Sequence, residues 1–156
     1  MKTDSTFTKV LLLGYTGYIG ATVAKVLLEK NIEVICPIRN KKPLKKIKNI
    51  IFVDMCQIES FLETSKEKPT TVISCIASRK GGTLDSWNVE YSLNKFYLNL
   101  CKRVGVKRFI LLSAICVQKP SLEFQKAKLA FEDLLKNSTL EYEIIRPTAF
   151  FKSLSG

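Results

Sequence analysis

At 156 residues the chain has room for one domain of ordinary size. Its 46% hydrophobic and 25% charged residues are the balance of a globular protein and exclude a disordered tail. Lys and Arg number 25 against 14 Asp and Glu, a net charge of +11, which points to an anionic partner such as a phosphate-bearing group. The chain has no histidine, so imidazole acid–base catalysis and the commonest metal ligand are excluded, and no metal is expected.

The pattern alternates short apolar runs with helical stretches. Residues 9–14 (KVLLLG) read as a buried strand, and 19–30 as a helix with Ile19, Val23, Val26 and Leu27 on one stripe. Strands follow at 33–38 (EVICPI) and 50–53, then a short helix at 57–64 and a strand at 70–77 (TTVISCIA). A long helix is predicted over 85–104, with Val89, Leu93, Phe96, Tyr97 and Leu100 on its packed face. A strand at 107–113 (KRFILLS), a helix at 122–137 carrying Leu129, Leu134 and Leu135, and a strand at 143–146 (EIIR) complete the series. Strands alternating with helices predict an α/β doubly wound parallel sheet of about six strands, and their continuous apolar character predicts cover on both faces.

Five cysteines, an odd number with no C-x-x-C pair, read as reduced thiols; Cys36, Cys75 and Cys116 lie in apolar runs that suggest burial. The first apolar run, 10–13, is too short for a signal-peptide core or a membrane span, so a cytoplasmic or plastid-stromal location is expected.

The strongest local signal is Gly14-Tyr15-Thr16-Gly17-Tyr18-Ile19-Gly20, between the first strand and the first helix. In that context glycines permit a tight turn, a close approach to pyrophosphate and close helix–strand packing, and the helix N-terminus offers free N–H groups to phosphate. Gly14, Thr16, Gly17, Tyr18, Ile19 and Gly20 are therefore candidate dinucleotide contacts. Where an NAD-selective site carries an acid after the second strand, this chain has Arg39-Asn40-Lys41-Lys42. Arg39 suits a 2′-phosphate through its planar fork, which points to NADPH; Lys45, Lys46 and Lys48 read as solvated surface. Asp54 ends the third strand, as an adenine contact or as a cap for the segment that follows. Ala77 and Ser78 are small enough for backbone to lie against a cofactor. Arg79-Lys80-Gly81-Gly82 is a basic loop, suited to phosphate or an acidic substrate, or simply a turn. The basic stretch lacks interleaved aromatics, so no nucleic-acid partner is expected.

Ser113 ends the fifth strand, where short-chain dehydrogenase/reductases carry an active-site Ser or Thr. Their Y-x-x-x-K pair corresponds here to Phe124 and Lys128: the lysine that holds the nicotinamide ribose is kept, and the tyrosine acid is absent. Three further blocks carry a more specific resemblance: SCIASR with Gly81-Gly82, Asp85-Ser86-Trp87 and Tyr91; LLSAICVQKP running on to Lys128; and Arg146-Pro147-Thr148-Ala149-Phe150-Phe151. On these the chain resembles the divinyl chlorophyllide a 8-vinyl-reductase family, atypical NmrA-like short-chain dehydrogenase/reductases. The resemblance implies NADPH-dependent reduction of the 8-vinyl group of divinyl chlorophyllide a or protochlorophyllide a to ethyl. It implies Lys128 and Ser113 as catalytic residues and adds Lys128 and Pro147 to the cofactor contacts. It also implies a tetrapyrrole pigment as substrate and peripheral association with thylakoid membranes, without a transmembrane segment. Family members continue into a substrate-binding lobe, so residues 1–156 are expected to form a single NADP-binding domain without it, leaving Phe150 and Phe151 as exposed apolar surface. The alternative is a non-catalytic NADP-binding redox sensor of the NmrA-like kind.

Overall fold

The computed structural model describes residues 9–39, 46–79 and 82–148. Lys41, Lys42, Lys45, Lys80, Gly81, Phe150 and Phe151 lie outside the described residues. The chain order is β1 (Lys9–Leu13), α1 (Tyr18–Glu29), β2 (Glu33–Ile38), β3 (Ile50–Asp54), α2 (Ile58–Thr64), β4 (Thr71–Ser74), α3 (Thr83–Ser86), a π-helical turn (Trp87–Leu93), α4 (Asn94–Val104), β5 (Arg108–Leu112), α5 (Glu123–Lys136) and β6 (Glu141–Ile145).

The six strands form one parallel sheet in the order β3-β2-β1-β4-β5-β6. This is the doubly wound order, in which the strand sequence reverses between β1 and β4 and a crevice opens at their carboxyl ends. β1 is central and buried on both faces, which is why it reads as an unbroken apolar run. Leu11 and Leu13 join the larger core with Ile58 and Leu62 of α2, Tyr97 of α4 and Phe131 of α5, while Leu12 points to the opposite face beside Ala24 of α1. Phe109 of β5 meets Phe131 at 5.6 Å between ring centroids.

Five features depart from the sequence reading. The strand at 70–77 ends at Ser74, so Cys75, Ile76, Ala77 and Ser78 form a loop. The long helix over 85–104 is interrupted by the π-turn, whose extra residue rotates the inward face. Glu90 and Asn94 point in, Val89 and Leu93 are only half-buried, and Phe96 is exposed. On α5 the inward stripe is Ala127, Lys128, Phe131, Glu132 and Leu135, with Leu129 and Leu134 partly exposed. β6 starts at Glu141, two residues early, because Glu141 pairs in register with Arg108 and bonds its guanidinium at 3.0 Å. All five cysteines are free thiols; Cys36 is buried and Cys75 partly so, but Cys116 is exposed, with φ 64° in the loop after β5.

Candidate functional site

The turn between β1 and α1 is built on two glycines that the backbone requires. Gly14 has φ +87°, and a Cβ there would lie 2.7 Å from the Cys75 carbonyl oxygen. A Cβ at Gly20 would lie 2.1 Å from the Gly14 carbonyl oxygen, so the first turn of α1 sits directly on the loop before it. Gly17 differs: a Cβ there would meet only the Gly14 oxygen, at the ordinary distance of 3.4 Å. Protein packing does not demand a glycine at this position. Gly17 caps α1 without any side-chain hydrogen bond, and the first turn carries no acid. The N-terminal end of α1 carries a partial positive charge that favours an anion.

A cleft of about 660 Å³ opens from this turn at the carboxyl ends of β1 and β4. Leu13 to Gly17 form one wall, Pro37, Ile38 and Arg39 a second, and Cys75 to Arg79 a third. Met55, Val89, Leu93 and Tyr97 close the floor. The Tyr15 ring is braced edge-on against Phe52 at 5.1 Å. Arg39 is exposed at the rim, and among the described residues no carboxylate pairs with it. The Tyr97 hydroxyl is buried with no partner among the described residues, and burial pushes it well above the usual phenol range. The uncapped helix end, the open side of Gly17, this hydroxyl and the rim guanidinium fit a phosphate-bearing dinucleotide.

The structure brings Gly14, Thr16, Gly17, Arg39, Ala77, Ser78 and Arg79 together around the cleft. Tyr18, Ile19 and Gly20 form the start of α1 behind it, with Tyr18 largely exposed. Asp54 turns away: its carboxylate accepts the Cys56 N–H at 2.9 Å, and Met55 lines the cleft in its place. Lys128 and Ser113 lie one layer deeper. The Lys128 ammonium is buried, 2.7 Å from Glu90 Oε2, and reaches the Leu112 carbonyl at 3.4 Å. Glu90 Oε1 accepts the Ser78 N–H at 2.8 Å and its hydroxyl at 3.1 Å, so one carboxylate joins Lys128 to the cleft wall. The Ser113 hydroxyl faces Glu132, whose carboxylate is fully buried and takes both arms of the Arg146 guanidinium. Pro147 follows Arg146, and its carbonyl accepts the Ile115 N–H at 3.0 Å, tying the end of β6 to the loop after β5.

Glu90, Asn94, Tyr97 and Glu132 were not among the sequence candidates. A signal for the first three exists: Ser86, Glu90, Asn94, Tyr97 and Cys101 recur at helical spacing, a stripe too polar for an ordinary core face and too regular for a solvent face.

Residues 14–153 match the family described as NAD(P)H-binding. The chain belongs to this NAD(P)H-binding family. Within it the chain is 44% identical, over 94% of its length, to the chloroplastic divinyl chlorophyllide a 8-vinyl-reductase of Arabidopsis thaliana. It is 27% identical over 94% of its length to the photosystem II assembly factor Ycf39 of Cyanophora paradoxa. The chain spans 40% of the first relative and 47% of the second. The NAD(P)H-binding fold is shared with the WbmG enzyme of Bordetella bronchiseptica in complex with NAD, at a TM-score of 0.76 over 94% of this chain and 55% of that one, with 15% identity. Among the described residues no helix is long and apolar enough to cross a membrane.

Proposed function

We propose that the chain forms the NADPH-binding part of an oxidoreductase that reduces the 8-vinyl group of divinyl chlorophyllide a or protochlorophyllide a to ethyl, in a plastid. The observation that carries this reading is the 44% identity to a reductase of that name, running through nearly the whole chain. The α1 amides and Thr16 hold the pyrophosphate, Arg39 takes the 2′-phosphate and Lys128 the nicotinamide ribose. When bound, the reduced nicotinamide supplies a hydride. The reacting carbon is conjugated with a macrocycle that spreads the developing charge, so orientation matters more than a strong acid at a carbonyl oxygen. Phe124 in the place of the usual tyrosine is compatible with that demand. Peripheral contact with thylakoid membranes belongs to the same reading.

The test has two arms. NADPH and NADH affinities are measured by fluorescence titration, with NADPH expected to bind more tightly and Arg39→Glu to abolish the preference. Pigment incubated with protein and NADPH is then examined by mass spectrometry for the gain of two hydrogens. Equal affinities that Arg39→Glu leaves alone refute the NADPH assignment. Tight NADPH binding without pigment conversion favours the second reading, a non-catalytic NADP-binding regulatory protein, which the similarity to an assembly factor supports.

A further inference from the structure

Removing two charges from water costs about as much as their attraction returns, so a buried ion pair adds little net stability over apolar side chains of similar volume. Glu90 and Lys128 form such a pair at 2.7 Å, with side chains only 2% and 8% exposed. Burial of this pair calls for a reason other than stability.

The hydrogen bonds around Glu90 supply one. Its carboxylate joins Lys128 on α5 to the backbone and hydroxyl of Ser78 on the cleft wall. Its carbonyl accepts the Asn94 amide at 2.9 Å, and Asn94 Oδ1 accepts the Ser74 hydroxyl at 2.6 Å. The network therefore fixes the end of β4, the loop that follows it and α5 relative to one another. The π-turn carries Glu90 into this position; π-turns are rare and occur frequently at functional sites. The other buried carboxylate, Glu132 on α5, is committed to Arg146, so among the described residues Glu90 is the carboxylate that pairs with Lys128.

We propose that Glu90 is a positioning residue for dinucleotide binding: it sets the Lys128 ammonium and the Ser78 backbone at the spacing that the nicotinamide end of the cofactor requires. Glu90 acts through these two groups and makes no cofactor contact of its own. The proposal rests on the NADPH-binding reading above.

The experiment is a double-mutant cycle on NADPH affinity, followed by cofactor fluorescence. Glu90→Gln is expected to raise Kd about tenfold, the loss typical of a hydrogen bond to a charged group. Lys128→Met is expected to raise it by a similar factor, and the double variant to lose clearly less than the two single factors combined, because part of the Glu90 effect runs through Lys128. Glu90→Asp, which keeps the charge, should restore most of the loss and leave Kd within a few-fold of the unsubstituted protein. Unchanged affinity in Glu90→Gln, or fully additive losses, overturns the proposal. Should Glu90→Gln fail to fold, Glu90→Asp decides, because its shorter carboxylate must still raise Kd measurably. Absence of NADPH and NADH binding by the unsubstituted protein refutes the functional reading and this proposal together; tight binding with an indifferent Glu90→Gln refutes this proposal alone.

Discussion

Gly20→Ala places a methyl carbon 2.1 Å from the Gly14 carbonyl oxygen, so the first turn of α1 must retreat by about 1.3 Å to reach the 3.4 Å of ordinary contact. Both partners are backbone, so neither can swing aside as a side-chain end would. Overpacking of this kind costs up to about 3 kcal/mol, of which the better helix propensity of alanine returns about 1 kcal/mol. A net loss of about 2 kcal/mol lowers the melting temperature of a domain this size by roughly 4–8 °C. Gly17→Ala is the control, because its methyl meets only one atom at 3.4 Å and stability should change by less than about 0.5 kcal/mol. That methyl does occupy the space assigned to the pyrophosphate. NADPH at a hundredfold excess over Kd should stabilise the unsubstituted protein by about 2.7 kcal/mol, and Gly17→Ala should lose most of this gain. Thermal unfolding is followed by the emission of Trp87, the only tryptophan, whose indole N–H donates to Glu123 at 3.1 Å. If Gly20→Ala melts with the unsubstituted protein, the close seating of α1 on the turn is wrong. If NADPH stabilises Gly17→Ala fully, the phosphate does not sit at Gly17.

The remaining predictions concern the thiols, a buried carboxylate and the missing tyrosine. Alkylation at neutral pH should modify Cys56 and Cys116 first, because both are exposed. Burial pushes Cys36 and Cys101 up to about 12, so these two should react only on unfolding, while Cys75, partly buried on the cleft wall and pushed up to about 11, should react more slowly than the exposed pair, as peptide mass mapping would show. Burial by itself would raise the Glu132 carboxyl, but the paired Arg146 guanidinium, with Lys136 nearby, outweighs it and holds the carboxyl below its ordinary value. A depressed carboxyl adds stability above its unfolded pKa of about 4.3 and loses it as pH falls through the folded value. Acid unfolding curves should therefore be flatter for Glu132→Gln. Arg146→Met should cost about 2–3 kcal/mol in denaturant titrations near neutrality, less than a fully buried pair would, because Arg146 is 34% exposed. Phe124→Tyr should change pigment turnover only modestly in the mass-spectrometric assay; a large gain would show that a phenolic acid limits the reaction.

The central strands β1, β2 and β4 were legible because each holds an apolar run between turn residues, and burial on both faces leaves little polar alternation to confuse the reading; β6, exposed and beginning Glu-Tyr-Glu, was legible only in part. The glycine turn was legible because its geometry admits few other residues at Gly14 and Gly20. Glu132 was not, and Glu90 showed only in the polar stripe it shares with Ser86 and Asn94. A lone glutamate on a helix reads as solvent-facing, and its burial depends on a cation supplied by an element distant in sequence, Lys128 for one and Arg146 for the other. The exposure of Phe96 was missed for a related reason: periodicity assumes a constant turn, and the π-turn breaks it. Arg39 was read from what it replaces, an acid after β2, and its place on the cleft rim follows from the strand that delivers it.

The π-turn also makes the helix unusually sensitive to length. Each residue of an α-helix turns the following side chains by 100°. Deleting one residue between Trp87 and Leu93 would let the segment relax into a regular α-helix, a gain for the local backbone. The same deletion would leave the flanking helices nearly in place but move the residues inside the turn off their positions, so that Glu90 could no longer span Lys128 and Ser78. A shortening that improves the helix as a helix would thus dismantle the corner of the molecule that it supports.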